Sequence, residues 1–99
     1  MIGVAIRSRA DLSLRILRHL LAQGGLAGAY GRDDLAPLSL IQKEIAKGLG
    51  LPHDHFNVVL KRLVVKGLAS VSTRLVRGTP RRLRVCFLTR AGAETVHDR

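Results

Sequence analysis

At Ala69 the hydrophobic period of this chain changes. Before it, Phe56, Val59, Leu60 and Leu63 fall at i, i+3, i+4 and i+7, which lays one apolar stripe along a helix. After it the period is two. Val71, Thr73 and Leu75 alternate with Ser70, Ser72 and Arg74, and Leu83, Val85 and Phe87 alternate with Arg84 and Cys86. Alternation marks strands. Arg77-Gly78-Thr79-Pro80 between the two runs is turn chemistry, so residues 69–88 are expected to form a hairpin. The chain is therefore of the α+β class, with helices first and a hairpin after them.

The remaining elements follow from start and stop signals. Ser8 with Asp11 three residues on resembles a capping box, and Gly24-Gly25 ends the apolar segment behind it, which predicts a first helix over 8–23. Residues 24–37 hold four Gly and a Pro and read as a loop. The Gly25, Gly28, Gly31 spacing is not a phosphate cradle, because no Gly-Lys-Ser/Thr follows and no strand precedes. Ser39 and Gln42 form a second capping box, with Ile41, Ile45, Ala46 and Leu49 at helical spacing, so a second helix is expected over 39–48. Leu51-Pro52 makes the turn into a third helix over 52–66, ended by Gly67, and Thr89 caps a last one over 89–97. Short second and third helices joined through Gly48, Gly50 and Pro52 must cross steeply. Within one domain of 99 residues, that order is a winged helix-turn-helix.

Charge supplies an independent line of argument. The chain has 17 Lys and Arg against 7 Asp and Glu, a net charge of +10. From His53 to Arg90 the cations are Lys61, Arg62, Lys66, Arg74, Arg77, Arg81, Arg82, Arg84 and Arg90, and Asp54 alone opposes them. Most of the excess thus falls on the third helix and the hairpin, the elements that would face a polyanion.

Several residue strings carry a family resemblance. Gln42-Lys43-Glu44-Ile45-Ala46 through Leu49-Gly50-Leu51 resembles the second helix of the helix-turn-helix in MarR-type and related transcription regulators. Leu60-Lys61-Arg62-Leu63 with Lys66-Gly67-Leu68 resembles the end of their recognition helix, and Leu88-Thr89-Arg90-Ala91-Gly92 the segment after their wing. The resemblance covers about Leu38 to Val96. It implies a winged helix and a regulator of transcription.

Expected roles follow from this geometry. Asp54, Asn57, Val58, Lys61, Arg62 and Val65 lie on the face of the third helix opposite its apolar stripe. Asn57 suits a two-point contact to adenine, Val58 a thymine methyl, and Lys61 a base or a phosphate. Arg77, Arg81 and Arg82 at the hairpin tip suit a narrow minor groove or its flanking phosphates, and Arg74 and Arg84 on the strands suit phosphate. Ser39, at the start of the second helix, is placed to help bind a phosphate through free amides, although its ordinary role is that of a cap. His53 stands at the start of the third helix, facing solvent or phosphate. With His55 it does not make a metal site, because ligands two apart on a helix diverge and no third is near.

Other functions are disfavoured. Tyr30, Phe56 and Phe87 are the only aromatic residues, too few to line a pocket for a planar effector, so no small-molecule effector is expected. No cofactor, metal or catalytic grouping is expected. Cys86 is the single cysteine. The apolar residues 2–6 precede Arg7, the reverse of a secretion signal, and no apolar run is long enough to cross a membrane, so a cytoplasmic location is expected. The expected partner is duplex DNA, with RNA as the alternative, and a homodimer is expected because one short helix reads few base pairs. A sequence-specific regulator ranks first. A non-specific chromatin or RNA binder follows, and a protein-interaction domain comes last.

Overall fold

The computed structural model describes residues 2–31 and 34–97, with side chains from Leu12 onward. Its helices are α1 (Ile2–Ala22), α2 (Gln42–Gly48), α3 (His53–Val65) and α4 (Arg90–His97), and its hairpin is β1 (Ala69–Leu75) with β2 (Arg82–Leu88). Short 3-10 turns occupy Ala27–Ala29 and Leu38–Leu40.

Three of the helices stop by the same device. After α1, α2 and α3 a glycine takes a positive φ, 70° at Gly24, 69° at Gly50 and 77° at Gly67. The next residue then donates its amide five positions back: Gly25 to Leu20, Leu51 to Ala46, and Leu68 to Leu63, at 2.8–2.9 Å. This is the Schellman closure, which satisfies the orphan carbonyls of a last turn and reverses the chain sharply. At Gly50 and Gly67 it fixes both ends of α3.

Two helix starts differ from expectation. The backbone of α1 is helical from Ile2, so Ser8 and Asp11 lie within the helix and not at its start; their side chains fall outside the described ones. Residues 2–7 hold no proline to block helix, and a local capping signal yields to a longer run. At α2, Ser39 sits inside the 3-10 turn, and the cap position belongs to Ile41, which makes no side-chain capping bond. Ile41 is held extended, at ψ 136°, by a bridge to Val85 of β2. The helix can begin only after that residue. Thr89, by contrast, caps α4 as expected, its hydroxyl accepting from the Gly92 amide at 3.0 Å and donating to the Gly67 carbonyl at 2.7 Å.

β1 and β2 pair antiparallel from Ala69 opposite Leu88 to Leu75 opposite Arg82. Single bridges tie the earlier chain onto this ribbon: Leu26 to Leu88, Ala36 to Val76, and Ile41 to Val85. The core lies between the ribbon and the helices. Leu12, Ile16, Leu17 and Leu20 of α1 meet Phe56, Val59, Leu60 and Leu63 of α3 and the consecutive residues Val85 to Leu88 of β2. Each such aliphatic or aromatic side chain contributes roughly 1.5–3 kcal/mol by leaving water. The end of β2 is buried on both faces. On the side away from the helices Tyr30 covers it, tilted against Phe87 at 5.6 Å between ring centres.

Candidate nucleic-acid interface

α3 turns its apolar stripe inward and leaves Asp54, Val58, Lys61, Arg62 and Val65 exposed, with His53 and His55 at its first turn. Val58 is 53% exposed. Of the face expected to point outward, Asp54, Val58, Lys61 and Arg62 are at the surface.

Asn57 is half-buried, and its Oδ1 accepts a hydrogen bond from Nε2 of Gln42 on α2. Gln42 is only 8% exposed and is the one buried polar side chain among the described residues. This bond joins the two helices of the motif. It also orients the Asn57 amide. Oδ1 retains a second lone pair and Nδ2 its donors, the pair needed at an adenine edge. Gln42 was missed as a positioning residue because Ser39 made it look like part of a cap. Its spacing to Ile45, Ala46 and Leu49 already placed it on the inward face of α2.

The hairpin arginines separate into two groups. Arg77, Arg81 and Arg82 are exposed around a tip that turns at Gly78, where φ is 86°. The Thr79 hydroxyl braces that turn, donating to the Arg81 carbonyl at 3.2 Å and accepting from the Arg81 amide at 3.4 Å. Among the described residues the only ion pair is Arg90 with Glu94, at 3.6 Å on α4, so the tip arginines have no acid partner there. Arg74 differs from its expected place on phosphate. Its guanidinium donates to the carbonyls of Gly31 and Asp34, the latter at 3.2 Å, and stands 5.4 Å from the centre of the Phe87 ring. These backbone acceptors engage the charge internally.

Arg84 faces the other way. With Val71 of β1 it forms one wall of an open groove of about 520 Å³, whose opposite wall is Leu60, Lys61, Val64 and Val65 of α3; Gln42 and Asn57 also line it. The groove joins α3 to the hairpin. Ser39 stands a turn before α2, so the free amides at that helix start belong to later residues.

Among the described residues, no group of three or more His, Cys, Asp or Glu side chains is placed to hold a metal, and no helix is long and apolar enough to cross a membrane. Cys86 is fully buried, and burial pushes its thiol up to about 12, against a smaller opposing pull from Arg84. Such a thiol stays protonated near neutral pH. Alkylation of the native protein at about pH 8 is expected to leave Cys86 unmodified, with labelling appearing only in denaturant. Rapid native labelling, read by intact mass, would contradict that placement.

No protein-family model and no curated protein matches this chain. Solved structures do. The chain is similar to MepR of S. aureus, a MarR-type winged-helix protein, in its DNA complex, at a TM-score of 0.65 and 23% identity, covering 98% of this chain and 67% of that one. It is also similar to a MepR mutant from a multidrug-resistant S. aureus clinical isolate, at 0.61 and 22%, covering 99% and 67%. A third similarity is to another S. aureus MepR mutant, bound to an oligodeoxyribonucleotide, at 0.59 and 23%, covering 98% and 67%. The fold is a winged helix.

Proposed function

We propose that this protein binds duplex DNA and regulates transcription, with α3 in the major groove and the arginine tip on the minor groove or its phosphates. The observation that carries the reading is the shared groove, which joins the outward face of α3 to the hairpin with a cation on each wall, Lys61 and Arg84. Its likeness to the DNA complex of MepR supports the same reading. Asp54, Asn57 and Val58 supply an acceptor, an amide and an apolar contact for base edges, while Lys61, Arg62, His53 and Arg84 lie where phosphates pass. No enzymatic activity is proposed, and the location proposed is the cytoplasm. The protein acts as a homodimer, because a single α3 spans too few base pairs for a selective site. The exposed or half-buried apolar residues Leu26, Ala27 and Ala93 beside α4 are available to a second copy.

Selection of duplexes from a random pool, followed by binding across a salt series, tests this. A reproducible motif is expected. Asn57→Ala should lose about tenfold or more in discrimination at one adenine of that motif, with little change on random duplex. A variant that keeps the full preference removes Asn57 from base reading. Tighter binding to structured RNA than to any duplex at equal salt would overturn the DNA reading itself.

A further inference from the structure

The groove between α3 and the hairpin differs in composition from its surroundings. Lys61 and Arg84, both exposed, stand on opposite walls, Lys61 beside Leu60, Val64 and Val65 of α3 and Arg84 beside Val71 of the hairpin. Val65 is 87% exposed and Val64 38%, on the most basic part of the chain. A surface that gripped phosphate alone would gain nothing from these valines. Base reading does not account for them either, because it falls to the N-terminal part of a recognition helix and Val64 and Val65 close the last turn of α3. An occupant that presents both apolar surface and negative charge complements this lining. A nucleic-acid strand does so, one sugar and one phosphate per nucleotide.

We propose that this groove seats one sugar–phosphate strand of the duplex and that its valines select deoxyribose over ribose. The inference rests on the duplex-binding reading above. Lys61 and Arg84 hold phosphates on either side, and the sugar between them lies against Val64, Val65 and Val71. In deoxyribose the 2′ position is a methylene, which aliphatic carbon covers without loss. In ribose it is a hydroxyl, both donor and acceptor, and the valines offer it no partner while excluding water. A buried, unpaired hydroxyl is costly enough to change affinity by about tenfold or more. Charge complementarity favours this strand over a peptide, which would need carboxylates at both walls and apolar side chains between them.

The test uses the full chain and the duplex it selects from a random pool, resynthesised with one ribonucleotide at each position in turn. One or two positions per half-site are expected to lose about tenfold in affinity. A 2′-fluoro nucleotide at the same positions, which favours the sugar pucker of ribose without its hydroxyl donor, is expected to bind like the parent. Val65→Thr and Val71→Thr each place a hydroxyl in the wall and should reduce the ribose penalty to about threefold or less. Equal binding of every ribose-substituted duplex overturns the inference, and is the result expected if a protein segment fills the groove. Equal losses for ribose and 2′-fluoro also overturn it, since pucker and not desolvation would then be read. If wild type binds no duplex at all, the duplex-binding reading falls and takes this inference with it, a result that the unsubstituted duplex alone reveals.

Discussion

Gly92→Ala is expected to destabilise the domain by about 2 kcal/mol, although alanine is the better helix former. Propensity alone favours the substitution by about 1 kcal/mol in a helix interior. Gly92 lies inside α4 with an ordinary helical φ, so backbone strain plays no part. Packing decides the sign. A Cβ there would overlap the Leu68 carbonyl oxygen and stand 2.7 Å from Cδ1 of Leu88. Leu68 is held by the hydrogen bond its amide donates to the Leu63 carbonyl, and its own carbonyl accepts from the Thr89 amide, so it cannot recede without breaking the end of α3. Overpacking against backbone costs up to about 3 kcal/mol, a large share of the roughly 5–15 kcal/mol that holds a domain folded. Urea denaturation of the two proteins measures it. An unchanged or raised midpoint would show that α4 does not dock on Leu68 as described.

The largest effect on binding is expected from Arg81→Ala combined with Arg82→Ala. The tip is braced by Thr79, and neither side chain contributes to the core, so folding should be retained. Each arginine that neutralises a phosphate adds about 0.9 to the slope of log affinity against log salt, so removing both should flatten it by about two units. At low salt the double variant should bind about 10- to 100-fold more weakly, on specific and random duplex alike. An unchanged slope would remove the hairpin tip from the interface. Arg74→Ala supplies the contrast: its charge already lies against the Gly31 and Asp34 carbonyls, so it should leave the slope unaltered.

What was legible in the sequence was local. The apolar stripe of α3, the alternation of β1 and β2, the glycine stops and the Thr89 cap each reside in a few adjacent residues, and the fold follows from their order. What was not legible depends on partners distant in sequence. Ile41 displaces the start of α2 because Val85 pairs with it, and Ser39 loses its capping role as a result. Arg74 donates to carbonyl oxygens far earlier in the chain, and backbone acceptors leave no signature in a sequence. The exposed valines of α3 were visible as residues. Only the hairpin beside them shows that they line a groove.

The ties along the hairpin determine what binding must cost. Its base is held where the Leu88 amide donates to Gly25 at 2.7 Å, and its far end where the Arg77 amide donates to Ala36 at 2.9 Å. Between these points Ile41 pairs with Val85, so only the few residues around Gly78 extend beyond a support. Ordering a loose backbone costs about 1–2 kcal/mol per residue, and little of that remains to be lost when a duplex arrives. If it binds duplex DNA as proposed, the hairpin meets that duplex preorganised. The heat-capacity change on association should match the contact area alone, without the added increment of a segment that folds as it binds.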